Sequence, residues 1–250
     1  MTEIIPFLIV CPLVFLAGLV DSMAGGGGLI SLPAYLLAGL PPVNAIATNK
    51  LGSSIGTVAS TARYIKNGYV DKVLAIPSVA AALTGAFFGA KLLLTVNSDI
   101  LKYPMIIALP VVAFIILRDK DLENSVSCDI NRRKQILIVT VISLLLGLYC
   151  GFYGPGTGTF LLILYTKAAK MDIRSASGNV KLVNLSSNIV STVIFVASGQ
   201  ALITLGIVAG VFCIAGHYLG SGLVMKKGFK AVKPIIITVL ALLMIKLIFG

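Results

Sequence analysis

Charge is scarce in this sequence. Of 250 residues only 12% are Asp, Glu, Lys or Arg, nine are acidic, and 58% are hydrophobic. No soluble domain of this size could clothe its surface with that balance, so lipid is the solvent for most of the chain. Signatures of chemistry are missing too. There is no Walker-type nucleotide loop, zinc-protease helix, Ser/His/Asp set or iron-sulfur cysteine cluster. No enzyme is therefore expected, nor a primary pump without a partner ATPase. The cysteines, Cys11, Cys128, Cys150 and Cys213, lack metal-ligand spacing and read as small packing residues, with no metal site implied. Acidic residues form no buried ring, which disfavours a cation channel. The N-terminus carries Glu3 and no basic stretch, so no signal peptide is expected.

What is present is long apolar runs. A transmembrane helix needs about 20 mostly apolar residues, and ten segments emerge: 4–22, 27–39, 43–64, 73–95, 100–117, 135–151, 157–169, 175–198, 201–225 and 233–249. The second and seventh are short. They either cross a thinned bilayer or stop inside the protein as half-helices, with broken backbone near mid-membrane.

The net charge of +11 forms no basic arm that would suit a nucleic acid. Topology explains it better, because Lys and Arg concentrate in cytoplasmic loops. With both termini outside, the inside loops hold 15 of the 20 basic residues, from Arg63 to Lys72, Arg118 to Lys134, Lys167 to Arg174 and Lys226 to Lys233. Lys91, Lys102 and Lys246 fall outside. Lys50 and Lys181 fit no loop at all.

Sliding the chain against itself by 131 positions aligns 17–94 with 148–225 without a gap. Gly25 and Gly27 meet Gly156 and Gly158, Lys50 meets Lys181, Gly68 meets Gly199, and Gly85 and Gly89 meet Gly216 and Gly220. Glycines and polar residues match better than apolar filler, which argues for duplication. The expected fold is an all-α polytopic membrane protein. It has a first repeat at 1–117, a cytoplasmic linker at 118–134 and a second repeat at 135–250. Five segments per repeat is an odd number, so the second copy enters from the opposite side and the repeats are inverted, as in many secondary transporters.

Two regions carry the chemistry. Gly25, Gly26 and Gly27, matched by Gly156, Thr157 and Gly158 after Pro155, precede the short segments. Such runs break a helix, and the half-helix that follows presents its N–H groups and positive dipole end to an anion. Close packing through small residues is the other reading. Beyond each break runs a polar face. One holds Lys50, Ser53, Ser54, Thr57, Ser60 and Thr61, with Asn49 just before; the other holds Lys181, Asn184, Asn188, Ser191 and Thr192, with Asn179 just before. A lysine deep in a membrane segment is costly and by default functional. Three readings stay open: the lysines bind an anionic substrate, snorkel to an interface, or pair with a buried carboxylate.

Asp21 is the one acidic residue placed for such pairing, and its aligned counterpart, position 152, is Phe. One carboxylate does not neutralise two lysines, which favours an anion. Asp21 is either a proton or sodium coupling group or a helix-end residue, and His217 either a packed side chain or a proton relay. The Gly85/Gly89 and Gly216/Gly220 pairs mark tight crossings within each half or a homodimer contact.

The chain resembles the sulfite exporter TauE/SafE family of bacterial membrane proteins. The resemblance rests on Ala-Gly-Gly-Gly-Gly-Leu-Ile-Ser-Leu-Pro at 24–33, Ala-Thr-Asn-Lys-Leu at 47–51, Gly68 after Tyr64, and Gly-Phe-Tyr-Gly-Pro-Gly-Thr-Gly at 151–158. It implies a multi-pass protein of the bacterial cytoplasmic (inner) membrane that moves sulfite, sulfoacetate, thiosulfate or related organosulfonates, usually outward. No cofactor is expected. A membrane scaffold whose lysines touch lipid headgroups is the competing reading.

Overall fold

The structure, a computed structural model, describes residues 4–96 and 130–227. Those residues form eight helices and no strand: α1 (Ile5–Ala24), α2 (Gly28–Leu37), α3 (Pro42–Lys66), α4 (Lys72–Thr95), α5 (Arg132–Phe152), α6 (Thr157–Lys167), α7 (Ile173–Ala197) and α8 (Ile203–Lys227). They coincide with eight of the expected segments. The segments at 100–117 and 233–249, and the linker up to residue 129, lie outside the described residues.

Helix starts follow from local chemistry. Asp71 Oδ1 accepts the N–H groups of Val73 and Leu74 at 3.1 and 3.3 Å, and Asp172 Oδ1 those of Arg174 and Ser175 at 3.1 and 3.0 Å. Asn131 caps α5 in the same way. Each supplies an acceptor to donors that the helix itself leaves unpaired. α2 and α6 are only 10 and 11 residues long. At about 1.5 Å per residue they cover roughly half of a ~30 Å hydrocarbon core. They are half-helices. Five of the longer helices are apolar enough to cross a membrane. α3 has the length, at 25 residues, but carries the polar face.

Polarity runs opposite to that of a water-soluble bundle. Lys50, Lys181, Asn49, Asn179, Asn184 and Asn188 are buried, while Leu8, Ile76, Phe88, Leu137, Leu145 and Val211 are exposed. An apolar exterior around a polar interior is stable only in lipid. The chain is therefore a multi-pass membrane protein.

α4 packs along α5 and α1 along α8; α3 lies against α8, α4 against α7, and α3 crosses α7 at the centre. Exchanging the first four helices with the last four maps these contacts onto themselves. α3 and α7 run antiparallel, because Ser54 meets Thr192 at 2.8 Å while Thr61 meets the Lys181 carbonyl at 3.3 Å. At one end of the bundle Asp71 pairs with Arg132 at 2.5 Å, Gln135 donates to the Ala169 carbonyl at 2.8 Å, and Arg63 donates to the Tyr218 carbonyl. The basic turns at 63–72, 132–134 and 167–174 thus gather at that end. At the other, Asn44 donates to the Gln200 carbonyl at 2.8 Å.

The glycine pairs correct one expectation. Gly85 and Gly89 abut the backbone of Leu144 and Leu148 on α5, and Gly216 and Gly220 abut Phe15 and Leu19 on α1. Both crossings join the two halves, rather than lying within either half or being left for a second subunit.

These contacts also correct the alignment. Gly85 is to Leu144 as Gly216 is to Phe15; Gly89 is to Leu148 as Gly220 is to Leu19; Ala82 is to Gly147 as Cys213 is to Gly18. α4 and α8 keep the offset of 131, but α1 and α5 are related by 129. Two more residues separate Cys150 from Lys181 than separate Asp21 from Lys50, spread over the second break, α6 and the turn after it. The structural counterpart of Asp21 is therefore Cys150 and not Phe152.

Candidate functional site

The two chain breaks are packed against each other. After α1 the backbone turns left-handed at Gly25 (φ +76°), and after α5 it does so at Gly154 (φ +101°) and Gly156 (φ +79°). A Cβ on Gly158 would stand 2.7 Å from Gly25 Cα and 2.7 Å from Asn184 Nδ2, and one on Gly28 would stand 2.9 Å from Pro155 Cα. Here glycine is required twice over, for the positive φ and for backbone approaching backbone. Close packing and helix breaking, alternatives in the sequence, are both realised.

Beside this crossing lies a cavity of about 510 Å³, its open part included. α3 contributes Asn49, Lys50 and Ser53; α7 contributes Asn184 and Asn188; the breaks contribute Gly25, Gly27, Gly156, Thr157 and Gly158. Asp21, Ser31, Cys150, Cys213 and His217 line it as well. The cavity is thus built from both halves. Gly26, Thr57 and Asn179 are buried nearby without lining it; the Asn179 amide donates to the Ser175 carbonyl at 2.8 Å. Lys181 lines a smaller, separate cavity with Tyr64, Ser177 and Gly158.

The two lysines, equivalent by sequence, have different partners. Lys181 Nζ donates to the Asp21 backbone carbonyl and to Asp21 Oδ2, the latter at 3.2 Å. Asp21 Oδ1 in turn accepts the Gly27 N–H at 3.1 Å, and His217 Nε2 lies 3.7 Å from Oδ2. His217 Nδ1 is 2.8 Å from Ser60 Oγ, which fixes the ring. The carboxylate therefore sits between an ammonium and the N-terminus of α2, as dipole and charge both favour.

Lys50 meets no carboxylate among the described residues. Its Nζ donates to Asn188 Oδ1 at 3.0 Å and to Cys150 Sγ at 3.1 Å, and it closes on Gly154 at the second break. Lys50 and Lys181 are 3% and 2% exposed, so neither snorkels out of the bundle. Pairing with a buried carboxylate describes Lys181 alone. Among the described residues the costs of burying Lys50 are met by a neutral amide and a thiol, both weak partners for a full positive charge.

Cys150 is the residue that pattern reading passed over. A single cysteine in an apolar run carries no signal, and its place beside Lys50 follows from the 129-residue register of α5 on α1.

A family model described as "Sulfite exporter TauE/SafE" matches residues 10–247. The chain is 33% identical over 237 residues to "Probable membrane transporter protein ORF9" of Sinorhizobium sp, covering 94% of this chain and 89% of that protein. It is 33% identical over 236 residues to "Probable membrane transporter protein YfcA" of Escherichia coli K12, covering 94% and 86%. A "Probable membrane transporter protein" of Haemophilus influenzae is 29% identical over 240 residues, with 94% and 91% covered. No solved structure matches the chain.

Proposed function

This chain belongs to the sulfite exporter TauE/SafE family of membrane transporters, and on that footing we propose that it carries a small anion, sulfite or an organosulfonate, through the cavity at Lys50. One observation carries the reading: a lysine ammonium, 3% exposed, faces a cavity shared by both halves and contacts no carboxylate among the described residues, the Asp21 carboxylate there being paired with Lys181. An anion supplies the missing charge, and Asn49, Ser53, Asn184 and Asn188 supply hydrogen-bonding groups for its oxygens. The protein is a transporter and not an enzyme, as its family and relatives are.

The halves act as inverted repeats around this site. Their crossing at the two glycine breaks places broken backbone where protein and cavity satisfy it. Rocking of one half against the other, about the α3–α7 contact, alternates access. The basic turns face the cytoplasm of the bacterial inner membrane and both termini face out. Export is the direction the family's description favours.

Flux of labelled sulfite from proteoliposomes tests this. The full chain is expected to release it several-fold faster than empty vesicles, and Lys50→Met to fall to the empty-vesicle rate. Flux equal to that of empty vesicles for the unaltered chain, with sulfite and organosulfonates alike, favours a scaffold and sinks the reading.

A further inference from the structure

The two lysines occupy equivalent places in the two halves, and the group that each ammonium meets across the bundle differs. Around Lys181 the arrangement is complete: an ammonium on one side, the Asp21 carboxylate in the middle, and the N–H of Gly27 at the start of α2 on the other. The offsets that relate the halves carry Lys181 to Lys50 and Asp21 to Cys150, and Gly27 at the start of α2 answers to Gly156 at the start of α6. Around Lys50 the arrangement therefore recurs with a thiol where the carboxylate would be, and Cys150 Sγ indeed lies 3.1 Å from Lys50 Nζ. The first half holds a resident anion. The second has the surroundings of one without the charge.

We infer that Asp21 is a built-in anion that neutralises Lys181, so that the site keeps a single uncompensated positive charge, on Lys50, and selects a monovalent oxyanion seated at the pseudo-equivalent place beside Cys150 and the start of α6. This rests on the anion-site reading and adds the charge class of the substrate and the residue that sets it. The charged and titratable groups lining the cavity are Lys50, Asp21, His217 and the thiols of Cys150 and Cys213, taken here as protonated, and Lys181 reaches Asp21 from the adjoining smaller cavity. With the imidazole neutral their formal sum is one positive charge. Desolvation of an ion grows with the square of its charge, whereas its attraction to the site grows only in proportion. A site of charge one thus favours a monoanion, and one more positive charge helps a dianion twice as much.

The test is thermal-shift titration of the full-length, detergent-purified protein with methanesulfonate, a monoanion, and sulfate, a dianion. It is run at pH 8, above the ordinary histidine range of about 6.5. Asp21→Asn keeps the oxygen that accepts from Gly27 and removes the charge. It is expected to raise sulfate affinity relative to methanesulfonate by roughly tenfold or more, equal to about 1.4 kcal/mol. Cys150→Asp places the carboxylate in the second half and is expected to lose both ligands, sulfate more steeply. Using the ratio within each variant removes any general loss of stability, and Cys150→Asp carries the test alone if Asp21→Asn does not fold. A sulfate-to-methanesulfonate ratio unchanged in both variants overturns the charge assignment while leaving the anion site. Binding of neither ligand by the unaltered chain overturns the site itself.

Discussion

Lys181 reaches across the chain to Asp21, 160 positions away in sequence, and its ammonium stands 3.2 Å from the carboxylate Oδ2. That contact ties α7 of one half to the end of α1 in the other. It also occupies the only carboxylate that lines the main cavity among the described residues, which leaves Lys50 as the cation available to a ligand.

The Asp21–Lys181 pair is expected to behave as a unit. Lys181→Met strands a carboxylate and Asp21→Asn strands an ammonium, so each alone should lower stability. The double variant should recover part of the loss, with a coupling of about 0.5–3 kcal/mol. Melting temperatures of the four proteins in detergent measure it. Additive losses would mean that the two groups are not paired.

The glycine crossing is expected to fail for two separable reasons. Gly39 has φ +86° with nothing within 4 Å of an added Cβ, so Gly39→Ala should cost only the left-handed strain, about 1–2 kcal/mol. Gly25, at φ +76°, also faces the Gly158 backbone, so Gly25→Ala should cost several times more and abolish transport. Equal melting temperatures for the two variants would contradict the contact between the breaks.

Asp71 caps α4 and also pairs with Arg132 on α5. The ion pair is partly exposed and contributes about 0–1 kcal/mol, whereas the cap contributes about 0.5–2. Asp71→Ala should therefore destabilise more than Arg132→Ala, and the smaller loss should shrink in high salt. Thermal melts at low and high salt distinguish the two contributions.

Asp172 gives a pH dependence outside the membrane. Burial alone would raise its pKa, but hydrogen bonds from Ser175 and the Arg174 N–H outweigh this and hold the carboxyl below the ordinary carboxylate range. A depressed folded-state pKa means that the stabilisation is present at neutral pH and lost as pH falls through that value. Between pH 6 and about 3 the unaltered chain should lose more stability than Asp172→Asn, since the ordinary Asp value lies near 3.9. Parallel decline of the two would remove Asp172 from the explanation.

Much of this was legible from residue patterns. Apolar runs placed eight helices to within a few residues, because lipid-facing surfaces demand them, and consecutive glycines marked both breaks. Charge counting isolated Lys50 and Lys181, since a buried lysine conforms to no loop. The difference between those lysines was not legible. It depends on two extra residues between Cys150 and Lys181, and apolar filler in α1 and α5 fits either offset equally well. At the single offset of 131 Asp21 aligns with Phe152 and Cys150 carries no signal. Only the packing of Gly85, Gly89, Gly216 and Gly220 against the opposite half fixes the register.

An experimental structure determined in saturating methanesulfonate would locate the ligand directly. Its sulfonate should lie about 2.7–2.9 Å from Lys50 Nζ, the range of a charge-assisted hydrogen bond, and beside Cys150 and the start of α6. A sulfonate bound at Lys181 in place of Asp21, or found only on the basic turns outside the bundle, would show that Lys50 is not the anion site.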